Sequence, residues 1–392
     1  MKEHNREQFQ ADTGARRPEV VRDWGRFLEI AEPWERLRRQ THGFTLFQSH
    51  LWLRNSWEHC AGDKHQLFVA CLWEGADLVA AAPLCITRGA GGSLAPRVLR
   101  FIAAEYADFA RILLLPEDDA ARLWALVEAH SDEWEVADFR YVPGDGLGTR
   151  SAKVPAGWRH EQQVMECARW IHFGTRPWRK CVKRTMRHSI ERHRRRIEER
   201  GPIRFSRATE VREVEEYLEE LADLHTRHWA QRGETSLFQF PGYRAWAVET
   251  ALQFQKSGQL YLCRLLMDER PIAVGWGFLE DEQMLLYSTA YSHEVALHSP
   301  GGLLVAAILD DLQERGVATT FSFGRGDEEY KRRWSEEHSP LYRHLLTRRN
   351  ARGSVHSMLF GKVLPLLWRH PTSGRALREL RRRASLIIGR AR

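Results

Sequence analysis

No run of about 18 apolar residues occurs anywhere in the 392-residue chain, so no segment has the length and hydropathy of a membrane-spanning helix. Residues 1–20 are polar and lack an apolar h-region, so they are expected to be a disordered N-terminus rather than a signal peptide. Cysteine is sparse: Cys60, Cys71, Cys85, Cys167, Cys181 and Cys263 are scattered, with no C-x-x-C pair. Several sit in apolar runs, which points to buried reduced thiols in a cytosolic protein, not to disulfides or zinc. H-E-x-x-H and other metal spacings are missing, as are a Walker A loop, a Rossmann glycine fingerprint and G-x-S-x-G. These gaps argue against metal, P-loop, dinucleotide and serine-nucleophile chemistry.

Positive charge is what the chain has in excess. Lys and Arg number 59 against 52 Asp and Glu, for a net charge of +7. An anionic partner follows, whether CoA or another nucleotide, a nucleotide-sugar, tRNA or an anionic membrane, and charge alone does not choose. Residues 169–200 concentrate it, with Arg176, Arg179, Lys180, Lys183, Arg184, Arg187, Arg192, Arg194, Arg195, Arg196 and Arg200. The segment reads as one long helix with apolar Val182, Met186, Ile190 and Ile197. Two readings stay open, a solvated face joining two lobes and a groove for an anionic acceptor or nucleic acid. Aromatic interleaving is too thin for base stacking. A second basic segment, residues 351–392, mixes Arg378, Arg381, Arg382, Arg383 and Arg390 with leucine and isoleucine. It is either a tail docked on the fold or a basic amphipathic anchor on an anionic membrane surface.

Two hairpin signals organise the rest. Leu67 to Trp73 and Leu78 to Ile86 flank Glu74-Gly75-Ala76-Asp77, and LFVACLWEGADLVAAAPL from Leu67 aligns without gaps to LYLCRLLMDERPIAVGWG from Leu260. Leu67 falls on Leu260, Leu72 on Leu265 and Ala80 on Ala273. Each hairpin is followed by a helix and a strand. A Gly/Pro-rich stretch at 143–157 separates the halves, so the expected domains are 21–157, 158–350 and the tail 351–392. The richest stretch runs from a strand at Met284 to Tyr291, through Ser299-Pro300-Gly301-Gly302, into a helix stopped by Gly316. A short strand from Thr319 to Phe323, the turn Gly324-Arg325-Gly326 and a short helix with Tyr330, Lys331 and Trp334 follow. Leu341 to Thr347 reads as the closing strand of this half. Strand, glycine loop and helix in that order present free N–H groups to a phosphate.

HSPGGLLV followed by FSFGRGDEEYKRRW resembles the GNAT acyltransferase superfamily, and more narrowly its FemAB-like and CelD-type branch, over most of the chain from about Pro33 to Thr347. The SPGG loop departs from the usual Q/R-x-x-G-x-G/A. The resemblance implies an α/β (α+β) fold of two tandem GNAT-like lobes, each a mixed sheet flanked by helices, with a cleft at their interface and a degenerate first lobe. It implies acetyl-CoA or another acyl-CoA as donor, no metal, and an amine or hydroxyl acceptor on an exopolysaccharide or envelope precursor. Such an enzyme would be cytoplasmic or peripheral to the inner face of the cell membrane. Ser299, Pro300, Gly301, Gly302, Leu303 and Thr289 would hold the donor. Tyr330 would be the general acid unless its ring packs beside Trp334, and Lys331 would bind substrate or transition-state charge. His298 and Glu328 are candidate bases, with His225, His228, His293, Asp108 and Asp327 as alternatives. Asp108, His225, Trp229 and Arg325 would contact the acceptor. Two other readings stand beside this one: a FemAB-like transferase using aminoacyl-tRNA on a peptidoglycan precursor, and a non-catalytic scaffold at the membrane surface.

Overall fold

The computed structural model describes residues 16–62, 64–88, 96–115, 120–148 and 157–349, with Gly353 and Met358 beyond them. The basic tail and its proposed membrane contact lie outside the described residues. The chain forms two compact units. Unit 1 holds residues 1–57, 61–165 and 341–392, and unit 2 holds 58–60 and 166–340.

In unit 1 the strands are β1 (Arg17–Val21), β2 (His65–Glu74), β3 (Asp77–Arg88), β4 (Arg97–Phe101), β5 (Leu113–Leu114) and β6 (Val136–Val142), with β13 (His338–Arg348) arriving from the end of the chain. Their order is β1-β2-β3-β4-β6-β13, and β5 pairs separately with β3. Helices α1 (Trp24–Glu29), α2 (Ala31–Gln40) and α3 (His50–Cys60) cover one face, where Phe27, Trp34 and Leu53 meet Val69, Cys71 and Trp73. Helix α4 (Ala120–Ala129) covers the other, where Leu123 and Val127 meet Phe68, Ala70 and Leu72. The two-residue alternation along β2 thus feeds two cores, and a segment buried on both faces must be apolar, as residues 67–73 are.

Unit 2 takes the last part of β7 (Trp158–His172), then α5 (Arg184–Glu198), β8 (Ile203–Arg207), α6 (Val211–Gln231), α7 (Pro241–Lys256), β9 (Leu260–Met267), β10 (Arg270–Glu280), β11 (Gln283–Tyr291), α8 (Pro300–Arg315), β12 (Thr320–Arg325) and α9 (Glu329–Trp334). Its order is β8-β9-β10-β11-β12-β7. Tyr261, Cys263 and Leu265 pack with α8 through Leu304, Ile308 and Leu312. On the opposite face Trp276 meets Trp246 of α7 at 5.8 Å between ring centroids, and Phe278 meets Phe254 at 5.1 Å. A Cβ on Gly275 would lie 3.2 Å from the Leu304 side chain, a tight approach of β10 to α8.

The repeat seen in the sequence is a repeat in strand register. Leu67 pairs with Cys85, Ala70 with Ala82 and Leu72 with Ala80; the aligned residues pair likewise, Leu260 with Phe278, Cys263 with Gly275 and Leu265 with Ala273. A bulge follows at the same place in each hairpin, before Trp73↔Leu78 and before Leu266↔Pro271. Beyond the hairpins, β3–β4 is antiparallel and β4–β6 parallel, as β10–β11 and β11–β12 are. Two tandem units of one topology result.

Three expectations need correction. Residues 17–21 are not part of a disordered terminus; they pair with β2 from Arg17↔Trp73 to Val21↔Val69, and Val20 and Val21 suit a sheet edge. The basic segment is not one long helix: residues 169–172 finish β7, and α5 begins only at Arg184 after a 3₁₀ turn at Trp178–Lys180. Leu341 to Thr347 does form a strand, but it belongs to unit 1, where it pairs with β6, Leu345 opposite Asp138. Pairing is non-local, so local composition cannot show which sheet a strand joins.

Candidate active site in unit 2

The site begins where two parallel strands part. β11 and β12 pair at Gln283↔Thr320, Met284↔Phe321 and Leu285↔Ser322, and the pairing stops there although both strands continue. On its other side β11 stays paired with β10, but with a register shift: Leu286 opposes Gly277 and Ser288 opposes Trp276, which makes Tyr287 the extra, bulged residue. Ser288 and Thr289 follow it, half-buried. A strand that is bulged on one side and unpaired on the other has main-chain groups available to a ligand. The C-terminal ends of parallel strands are where open α/β sheets bind ligands.

β11 leads through a 3₁₀ segment (His293–His298) to Ser299, which adopts left-handed φ/ψ of 52° and 53° as N-cap of α8 without a side-chain capping bond. Pro300 supplies no N–H, and the N–H groups of Gly301 and Gly302 have no acceptor among the described residues. A Cβ on Gly301 would sit 3.5 Å from the Tyr291 ring, an ordinary contact, and one on Gly302 would meet Ser299 Oγ at 2.7 Å. Leu303 is buried in the core and anchors the turn. The Nδ1 of His298 is buried with no hydrogen-bond partner among the described residues, and His193 on α5 lies near it.

The second wall is the end of β12. Gly326, at φ 116°, donates its N–H to Cys167 O at 2.9 Å. Asp327 is clamped by Arg332 (2.7 Å) and by the buried Arg169 (2.6 Å), and these guanidiniums hold its carboxyl well below the usual range. Lys331 is 4% exposed; its Nζ donates to Arg325 O at 2.5 Å and pairs with Glu328 at 2.9 Å. An ammonium has three N–H groups, so one more remains for a ligand. Tyr330 is 46% exposed, and its ring stands edge-on to Phe323 at 6.4 Å, while Trp334 packs into the core, tilted against Phe323 and Trp178.

Arg325, Glu328, Tyr330 and Lys331 are therefore together at the end of β12, and Thr289, His298, Ser299, Pro300, Gly301, Gly302 and Leu303 at the end of β11. His225 and Trp229 form a network of their own on α6. Trp229 Nε1 donates to His225 Nε2 at 2.9 Å, and His225 Nδ1 meets Ser236 Oγ at 2.8 Å. Burial, with His228 nearby, lowers the imidazole to about 4, so it is neutral and spans helix and loop. His228 and His293 touch at 2.8 Å beside Tyr291, on the approach to Gly301. Asp108 is buried in unit 1. The sequence reading missed Glu166, a half-buried residue of β7 whose electrostatic neighbours are Arg325, Glu328, Lys331 and Asp327. The apolar residues of V-M-E-C-A-R-W-I were the available signal for the strand that carries it. Among the described residues no group of three or more His, Cys, Asp or Glu could hold a metal ion, and no helix is long and apolar enough to cross a membrane.

Residues 184–332, from α5 into α9, match the family model described as Acetyltransferase (GNAT) domain. No curated protein sequence matches the chain. Among solved structures, the chain is similar to FemX (10% identity, TM-score 0.58, covering 87% of this chain and 99% of that one). It is also similar to the C-terminal domain of a putative lysylphosphatidylglycerol synthetase from Agrobacterium fabrum (15% identity, TM-score 0.50, 85% and 96%). L-PGS from Bacillus licheniformis is comparable (14% identity, TM-score 0.50, 86% and 96%). At these identities the likeness is one of fold. The match of residues 184–332 to that domain model supports an acyltransferase.

Proposed function

We propose that unit 2 transfers an acyl group from acetyl-CoA or a longer acyl-CoA to an amine or hydroxyl. The observation that carries this reading is the parting of β11 from β12 next to the uncapped start of α8. The bulged segment after Tyr287 offers N–H groups to an acyl carbonyl, where they would stabilise the oxyanion as it forms. The N–H groups of Gly301 and Gly302 and the positive end of α8 would receive the pyrophosphate. The acceptor attacks the carbonyl directly, the carbon–sulfur bond breaks, and the exposed Tyr330 hydroxyl gives a proton to the leaving thiolate. Lys331, buried and held against Arg325 O, adds positive charge beside the site. By resemblance to CelD-type proteins, the acceptor is an exopolysaccharide or other envelope precursor, acylated on the cytoplasmic side.

One observation favours a second donor, aminoacyl-tRNA. On and just beyond α5, Arg184, Arg187, Arg192, Arg195, Arg196 and Arg200 make no ion pair among the described residues, a cationic face suited to a phosphate backbone. Under that reading the acceptor is a peptidoglycan precursor.

Isothermal titration with CoA and acetyl-CoA, beside Gly301→Asp, separates the two. The Cβ has room, so the variant adds charge without a clash. The expected result is micromolar binding weakened on the order of 100-fold or more in the variant, since a carboxylate would face the pyrophosphate. No binding to either ligand would overturn the CoA reading and make salt-dependent tRNA binding the next measurement.

A further inference from the structure

We propose that Glu166 is the general base that accepts the proton of the attacking acceptor, an assignment that rests on the acyl-transfer reading above. Position is the first ground. Ala168 of β7 lies opposite Arg325, and Cys167 O accepts from the Gly326 N–H, so β7 is fastened to the end of β12. The two strands are antiparallel, so the step back from Ala168 to Glu166 runs past the C-terminal end of β12. That is the sheet edge to which the unpaired part of β11 and the start of α8 also come. Two residues apart on a strand, Glu166 and Ala168 share a face.

Availability is the second ground. Three carboxylates surround the Gly324-Arg325-Gly326 turn. Asp327 is bound by Arg169 and Arg332, and Glu328 by Lys331. Glu166 makes neither a hydrogen bond nor an ion pair among the described residues. A base needs a free lone pair, and of the three only Glu166 has both its oxygens free. The charged groups facing it are Arg325 from β12, Asp327 from the turn, and Glu328 and Lys331 at α9. Burial pushes its carboxyl above the ordinary range; Arg325 and Lys331 pull it down, and Glu328 and Asp327 push it up. A carboxylate made more basic than usual is better matched to proton abstraction.

The step balances as follows. The acceptor's N–H or O–H proton passes to a Glu166 oxygen while the freed electron pair bonds to the acyl carbon. The carbonyl π pair moves to oxygen and returns, expelling the thiolate, which takes a proton from Tyr330. Acylated acceptor and free CoA thiol result, and the Glu166 proton is returned through solvent to the tyrosinate.

The test compares wild type, Glu166→Gln and Glu166→Asp with the acceptor that wild type uses. Glu166→Gln is expected to lower kcat about 10²- to 10⁴-fold, with CoA affinity and thermal midpoint unchanged. The acid limb of the kcat/KM profile should vanish with it, and Glu166→Asp should keep part of both rate and limb. Glu166→Gln within threefold of wild type, or with its acid limb intact, would overturn the assignment while leaving acyl transfer standing. Wild type that transfers from neither acetyl-CoA nor aminoacyl-tRNA would instead overturn the reading on which it rests.

Discussion

In unit 1 the strand beside the hairpin ends at Phe101; in unit 2 its counterpart runs on to Tyr291. The two are aligned by their partners, because Phe101 opposes Leu84 and Leu286 opposes Gly277, and those residues occupy one position of the repeat. After Phe101, Ile102 makes one more bond to Pro83 O, and the chain turns away at Ala103, whose φ is 59°. β5 then fills the vacated place, with Leu113 and Leu114 opposite Ala81 and Ala80. After Leu286 the chain bulges at Tyr287 and stays. Unit 1 thus fills with a separate short strand the place that unit 2 fills by continuing β11.

The ends of the parallel strands differ in the same sense. Val136 pairs with Val98 and Thr320 with Gln283, so counting on places Asp138 at the position of Ser322. Unit 1 fills that end with a buried carboxylate bound by Arg343 (2.6 Å) and Arg140 (2.6 Å). Unit 2 has a serine whose Oγ accepts from its own Gly324 N–H. A shared scaffold thus differs between the units in a few residues at one edge, and the proposed donor site lies in unit 2.

Substitutions can break this contrast. The largest stability effect is expected in unit 1. Arg343→Met leaves Asp138 buried with one partner and should cost about 3 kcal/mol, read by hydrogen exchange in β6 and β13. Burial alone would raise the Asp138 pKa, yet Arg140 and Arg343 outweigh it and the folded value is lowered. The clamp's stability is therefore complete above the unfolded pKa, about 3.9, and is lost as pH falls through the lower folded value. In Arg343→Met the acid transition of unit 1 should move to higher pH; an unmoved transition would show that the clamp is not what closes that edge.

A smaller change makes unit 2 more like unit 1. Tyr261 occupies the position of Phe68 in the repeat, and its hydroxyl donates to Asp311 on α8 at 2.6 Å. Tyr261→Phe should destabilise unit 2 by about 1 kcal/mol, since Arg315 still reaches Asp311. A loss of donor binding in this variant at unchanged stability would mean that α8 is positioned by that one bond.

Much of this scaffold was legible. The gapless match of Leu67 to Leu260 carried the shared register, because register is set by which residues face each core. The α6 range Val211 to Gln231 and the β9 range Leu260 to Met267 followed from periodicity and breakers. What could not be read were facts of pairing. β7 is largely solvent-exposed over 159–164, so only the apolar residues from Val164 onward signalled the strand that carries Glu166. The bulge at Tyr287 and the early end of β11–β12 pairing are relations between strands and have no local signature. The SPGG and YK motifs pointed to the two walls of the proposed site without the carboxylate beside them.

The most direct test of the claim that unit 2 alone keeps the donor site is hydrogen exchange with and without acetyl-CoA, compared peptide by peptide. Protection is predicted at 286–291 and 299–303, with none at 97–103 or 120–129. Protection confined to unit 1, or equal in both units, would contradict the account.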